Sequence, residues 1–468
     1  MLFNSIPFLI LFAVIFVGHR SVPPRHRGAV LLIGSLVFYS MWIPVYLALF
    51  VGVLAANYLL LRLMVRSQRP TRWLIASVVF SLGTLGFFKY AAFLVASSIP
   101  ILESVGLSTP AIPAILLPLG ISFFTFQIIA LAVDTHRGQV EPVESFWEYA
   151  LFISFFPQLI AGPIVRGWQL LPQLREGGQI SRERNRQGIW LIALGLAKKV
   201  LVADLLLAPF VDRIFVLPGA NTAPEHLIAL YSFAFQIYFD FSGYTDMARG
   251  LAKLLGLDLP LNFREPYLSR NPAEFWQRWH ITLSQWLRDY LYIPLGGNRA
   301  GSVRTHRNLL LTMLLGGLWH GAAWNFVIWG GLHGIFLILH RWLPGSRRDE
   351  AGEGLRWSDI PRILLFFHVV CFIWIFFRTD NLAEAIAFIS RLATGSYHQI
   401  WPWFQVIVVL LSALFHVLER MGRLHFDEIL DGLDSRWGAI LEGVVLGLLA
   451  ALIALFGASG GEFIYFQF

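Results

Sequence analysis

Two histidines, His320 and His333, sit in the stretch LLGGLWHGAAWNFVIWGGLHG (314–334), whose composition is otherwise that of a membrane interior. An ionisable side chain in hydrocarbon costs about 2.5–3.5 kcal/mol or more when charged, so it marks a functional site unless it is simply packed. A lone histidine on an apolar helix ordinarily packs, and His333, His340 and His368 are read that way. His320 differs, because Gly316, Gly317, Gly321, Ala322 and Ala323 flank it. Small residues leave room beside the ring, and room beside a buried imidazole suits a substrate tunnel and a general base. Trp319 and Asn325, its neighbours in sequence, are candidates to line that tunnel.

A third histidine lies in NPAEFWQRWHITLSQWLRDYLYIPLGG (271–297). Asn271 with Glu274 three residues on has the pattern of a capping box, and Pro272 suits the first helical position. At about 100° per residue, Trp276, Trp279, Leu283, Trp286, Leu287 and Tyr290 share one face. Gln277, Arg278, Gln285, Arg288 and Asp289 share the other. The pattern predicts an amphipathic helix over 271–290 lying at the cytoplasmic interface. His280 falls at the edge of the apolar face, either pointing inward or snorkelling to the interface. Trp279 and Arg288 are supporting candidates. A last cluster, FQIYFDFSGYTDMARG (235–250), places Asp240, Ser242, Tyr244, Thr245 and Asp246 near the end of an apolar span. Buried carboxylates need partners. Arg249 or the arginines of 264–307 would supply them in a structural network, which could also orient the histidines or line a polar path.

These residues need a scaffold, and composition defines it. The chain has 468 residues, 56% hydrophobic and 14% charged. Soluble domains carry roughly 25% charged residues, so this is an all-α polytopic membrane protein. The basic residues come in short clusters between apolar runs, which leaves no patch for a nucleic acid. The single cysteine, Cys371, excludes an internal disulfide and a thiolate zinc site. The N-terminus lacks a basic leader region, and its charges follow the first apolar run, so an uncleaved first span with its start outside is expected.

With about 20 residues per crossing, spans are expected near 2–18, 28–43, 45–61, 73–96, 112–133, 188–214, 225–254, 360–377, 401–418 and 437–457. The segment 145–174 must dip in and return. The basic loops 19–27, 62–72, 175–186, 264–307 and 341–350, with Arg420 and Arg423, then all face the cytoplasm, and both termini face the periplasm. The loop 216–226 carries no Lys or Arg, as a periplasmic loop should. The whole chain, 1–468, reads as one integral-membrane domain. Residues 308–320 make about 20 Å of helix, too short to span. A single crossing over 308–340 would put 341–350 outside, so 308–340 is read as a hairpin with His320 near its tip. Segment 263–307 is the cytoplasmic interfacial part.

Closely spaced histidine boxes, a phosphate-binding loop, a nucleophile elbow and paired cysteines are all missing from the sequence. What remains is acyl transfer by general-base catalysis, or a transporter with a histidine relay.

The blocks FQIYFDFSGYTDMARGLAKLLG, NFREPYLSRNPAEFWQRWHITLSQWLRDYLYIPLGGNR and LLGGLWHGAAWNFVIWGGLHG resemble the signature blocks of the membrane-bound O-acyltransferases. PLGISFFTFQ (118–127), FFPQLIAGPIVR (155–166), FFRTDNLAEA (376–385) and the ending FIYFQF are similar to the bacterial alginate O-acetylation branch. The resemblance runs along the whole chain. It implies a multi-helix bundle with re-entrant hairpins around a central tunnel, in a bacterial inner membrane. It makes His320 the catalytic residue and His280 the second active-site position, where many eukaryotic relatives carry asparagine. That departure favours modification of a polysaccharide or other cell-envelope polymer. The branch also includes D-alanyl transfer proteins of teichoic acid synthesis, which draw on a carrier protein. The resemblance implies no bound cofactor, but a cytoplasmic thioester donor, acetyl-CoA or an acyl carrier. His320 would serve as general base, while His280 positions the thioester or polarises its carbonyl. A periplasmic SGNH-type acetyltransferase would then place the acetyl group on the polymer.

Overall fold

The computed structural model describes residues 3–216, 221–299, 301–343, 356–424, 436–456 and 463–464. All regular structure among them is helical. Among the described residues, five helices are long and apolar enough to cross a membrane: Pro44–Arg66, Pro70–Ser104, Trp357–Arg378, Trp403–Gly422 and Trp437–Leu455. The chain is a multi-pass membrane protein. It divides into two compact units, Met1–Ile192 with Met247–Pro260, and Ala193–Asp246 with Leu261–Phe468.

In the first unit the helix Ile6–Ser21 starts at a capped Ser5, whose Oγ accepts the Phe8 N–H, with proline in its first turn. The span expected at 112–133 is helical only over Ile121–His136. Pro110, Pro113 and Pro118 keep 107–118 out of helix, and Gly120 turns the chain into the helix at φ +69°. The dipping segment is three short helices, Phe146–Ser154, Phe156–Leu159 and Gly167–Glu176. Its breaks lie among buried residues: Phe152, Phe155 and Phe156 are fully enclosed. Non-helical backbone at membrane depth needs partners inside the protein. Ser35 Oγ accepts the Phe156 N–H at 3.1 Å, and Gln158 Nε2 donates to the Phe152 carbonyl at 2.6 Å. The loop arginines do more than anchor: Arg27 donates to the Gly177 carbonyl and Arg20 to that of Leu254, placing cations at two helix C-termini.

In the second unit the expected hairpin is present as Ser302–His320 and Trp324–Trp342, joined by 321–323. Its first arm starts six residues before the expected Asn308. At 19 residues it is about 28 Å long, so it is not too short to span. The antiparallel return at GAAWN does hold. The expected 188–214 span is helical but not uniformly α: an 11-residue π-helix occupies Ala197–Leu207. Of the basic loop 341–350, residues 344–350 lie outside the described residues, as do 217–220 of the 216–226 loop and 465–468 of the C-terminal block.

Candidate active site

The hairpin is held by Gly317 and Gly321, which the sequence offered as spacers, and by Gly330 on the facing arm. A Cβ on Gly317 would stand 2.1 Å from the Phe326 carbonyl oxygen, and one on Gly330 2.2 Å from that of Met313. On Gly321 it would strike the Phe326 ring at 2.1 Å. These glycines therefore do not serve as spacers. They let two helices approach backbone to backbone, as small residues do between membrane helices. Aromatic rings line the His320 side chain. Its imidazole stands edge-on to Trp329 at 5.0 Å, Trp319 at 5.1 Å and Phe377 at 5.5 Å. His320 ends its helix and is 5% exposed.

His280 arrives by a different route from the one its sequence suggests. The expected continuous helix over 271–290 is broken into Pro272–Arg278 and Ile281–Leu287, with a π-helical turn at Arg288–Tyr292. His280 occupies the break in the left-handed region, φ 43° and ψ 55°, a conformation that costs an L-residue about 1–2 kcal/mol. Asn262 fastens it. The Asn262 carbonyl accepts the Ile281 N–H at 2.9 Å. Its side-chain Oδ1 meets the Thr282 N–H at 3.2 Å, Thr282 Oγ1 at 3.0 Å and His280 Nδ1 at 3.1 Å. The capping box is half as expected: Asn271 Oδ1 accepts the Glu274 N–H, but Glu274 reaches back to the Arg270 N–H. Arg278, assigned to the polar face, is buried and pairs with Glu274 at 2.8 Å. The break swings His280 inward to complete burial, and burial pushes its imidazole down to about 3, neutral at pH 7.

The two rings converge at a centroid separation of 6.4 Å, with Trp319 in contact with both, 6.1 Å from His280. Trp279 is fully buried in the wall behind, against Phe263 and Trp374 at 5.0 Å each. His333 packs between Phe275, Trp276 and Trp329. His368 is exposed and bonds the Leu364 carbonyl. Asn325 donates to the Thr379 carbonyl at 2.7 Å and ties the second hairpin arm to the helix that carries Phe377.

Arg288 is not in the site. Its side chain is 60% exposed, pairs with Asp289 and borders a cavity of about 210 Å³ with Trp276, Leu287 and Met313.

The carboxylates of 235–250 belong to the scaffold. Asp240 pairs with Lys199, and Asp246 pairs with Lys198 at 2.7 Å. Lys199 also holds Asp204 at 2.9 Å, and Lys198 holds Glu419, which accepts the Tyr238 hydroxyl. The expected arginine partners of Asp240 are thus replaced by a lysine of the π-helix. Ser242 is buried beside this network, and its carbonyl accepts from Thr245 Oγ1. Packing connects the network to the histidines. Asp240 accepts the Ile464 N–H at 3.0 Å, Phe463 packs on Phe241 at 5.7 Å, and Phe241 stands perpendicular to His280 at 4.8 Å.

Sequence reasoning missed Asn262, Lys198, Lys199 and Glu419. For the lysines a signal existed, since two adjacent cations inside an apolar run imply buried counter-charges. Asn262 lies in the block NFREPYLSRNP, but its isolated polar side chain carries no periodic signal.

Two buried histidines, one carried on a glycine-packed hairpin and one on a broken helix, are equipped to handle a proton within a multi-pass membrane protein. The model of the membrane-bound O-acyltransferase family matches residues 61–348. The chain belongs to that family and is an O-acyltransferase. It is 43% identical over 390 residues to a protein of Azotobacter vinelandii named probable alginate O-acetylase AlgI, covering 82% of this chain and 76% of the relative. A Pseudomonas putida protein of the same name is 37% identical and aligns over the full length of both chains. The peptidoglycan O-acetyltransferase of Helicobacter pylori is 34% identical over all of this chain and 98% of its own.

Proposed function

We propose that this protein takes acetyl from a cytoplasmic thioester, acetyl-CoA or an acyl-carrier thioester, and passes it across a bacterial inner membrane for O-acetylation of a cell-envelope polymer, an alginate-like exopolysaccharide in the first instance. The observation that carries the reading is the convergence of His280 and His320 as buried rings within 6.4 Å, in a chain whose relatives are named for O-acetylation of two envelope polymers. In the reaction an acceptor hydroxyl oxygen attacks the thioester carbonyl; the C–O bond forms and the C–S bond breaks. His320 takes the hydroxyl proton and returns it to the departing thiolate, a service typically worth 10²–10⁴-fold in rate. An SGNH-type acetyltransferase in the periplasm would receive the acetyl group for the polymer.

Deletion of the gene tests this against export. The polymer is expected to be made and secreted without O-acetyl esters. A polymer that fails to reach the outside, with neighbouring genes expressed normally, would overturn the reading in favour of a transporter.

Orientation forms part of the same proposal. The basic segments 264–307 and 341–350 support a cytoplasmic face there and both termini outside. Reporter fusions should place the C-terminus in the periplasm, and a cytoplasmic C-terminus refutes the arrangement.

A further inference from the structure

We infer that Asn262 is a positioning residue that locks His280 in one tautomer, with the proton on Nδ1 and the lone pair on Nε2. The inference deepens the acyl-transfer reading and rests on it for the use of that lone pair, but not for the tautomer itself.

The Thr282 N–H fixes the sense of the hydrogen bonds at the Asn262 side chain. A backbone N–H can donate and never accept, so the Asn262 atom that meets the Thr282 N–H at 3.2 Å is the amide oxygen. The same oxygen stands 3.1 Å from His280 Nδ1. An amide oxygen has no proton to give, so Nδ1 must supply it. A neutral imidazole carries one N–H, and Nε2 is therefore the basic nitrogen. Asn262 grips on both sides of the ring. Its own carbonyl holds the Ile281 N–H while its side chain holds the imidazole and Thr282. Phe241, perpendicular at 4.8 Å, limits rotation of the ring.

The strained backbone supports a working role. A non-glycine residue in the left-handed region persists where the surroundings over-determine it. If a turn between two short helices were all that was needed, glycine would supply it at lower cost, and no bond to a side chain at 280 would be required. Here the strain delivers an imidazole toward His320, and Asn262 decides which nitrogen faces the reaction.

The consequence for chemistry is specific. Polarising the donor's carbonyl requires an N–H at the working nitrogen, and this tautomer has none at Nε2. His280 can only accept there, so it takes a hydrogen bond from a second donor group of the bound substrate and orients it, while the proton of the attacking hydroxyl goes to His320.

The test uses the full-length protein in lipid nanodiscs with ¹⁵N-labelled histidine, the His280 signals being assigned by their loss in His280→Ala. Wild type is expected to show Nδ1 protonated and Nε2 unprotonated. Asn262→Asp, which keeps an acceptor oxygen, should preserve that pattern, and Asn262→Ala should lose it. In acetyl transfer, Asn262→Ala should lower kcat by about 10²-fold with KM for the donor within about twofold; a wrong tautomer alone costs a serine protease about 10⁴-fold. In the His280→Ala background the same change should matter by less than about twofold, since residues acting as a unit are not additive. An Nε2–H signal in wild type overturns the inference whether or not transfer is detected. So does an Asn262→Ala loss of equal size with and without His280, which would make Asn262 a fold residue only. Should Asn262→Ala not fold, the wild-type and Asn262→Asp spectra still decide.

Discussion

His320→Ala is expected to abolish acetyl transfer, by 10²–10⁴-fold or more, in a protein that still inserts and purifies with an unchanged melting profile. The separation of activity from stability follows from where the hairpin is held. Its arms meet backbone to backbone at Gly317, Gly330 and Phe326, and the His320 ring adds only an edge contact with Trp329. The histidine is the last residue of its helix, and losing its side chain leaves the turn 321–323 and the helix pairing in place. The rings of Trp319, Trp329 and Phe377 would border the vacated volume. Transfer measured on purified His320→Ala decides the matter. A rate equal to wild type would return His320 to the packing role assigned to His333.

Gly330→Val is expected to have the opposite signature, with fold and activity lost together. The added Cβ would lie 2.2 Å from the Met313 carbonyl oxygen and 3.1 Å from the Gly317 Cα, both backbone atoms of the facing helix. Over-packing a core costs about 1–3 kcal/mol, occasionally more, and rigid backbone on both sides places this change at the upper end. The arms must separate, which carries His320 away from His280. One position along, Gly331→Ala should be tolerated, because its Cβ would meet only the end of Leu314 at 3.3 Å. Thermal melting in detergent beside transfer rates compares the two. A Gly330→Val protein that melts like wild type would show that the hairpin is not held by this contact.

Much of the fold was legible because hydrocarbon solvent enforces simple rules. Apolar runs of membrane length gave Pro44–Arg66, Ile360–Arg378 and the helix from Arg436, and loop charge pointed to the return at GAAWN. The two histidines that converge were legible too, through unusual residue types in apolar company. The path by which His280 reaches His320 was not. Between Ala273 and Ile293 there is neither glycine nor proline to announce a break, and the 100° periodicity fits an unbroken helix well. The break exists because Asn262, 18 residues earlier, supplies bonds that a continuous helix could not use. The glycines beside His320 were noticed and misjudged, since composition cannot distinguish a glycine that leaves space from one that lets a backbone fill it. Lys198 and Lys199 went unmatched to Asp246 and Asp240 because pairs 48 and 41 residues apart leave no local pattern.

The π-helix at Ala197–Leu207 has a bearing on how this protein can change over generations. Its two neighbouring lysines address carboxylates six residues apart on another helix, about 9 Å along the axis. Deleting one residue there would shift the lysines against those carboxylates, stranding buried charges whose separation costs about 3–5 kcal/mol each. Surface loops absorb insertions and deletions freely. This stretch cannot, so lineages descending from this sequence should vary its apolar side chains while keeping its residue count fixed.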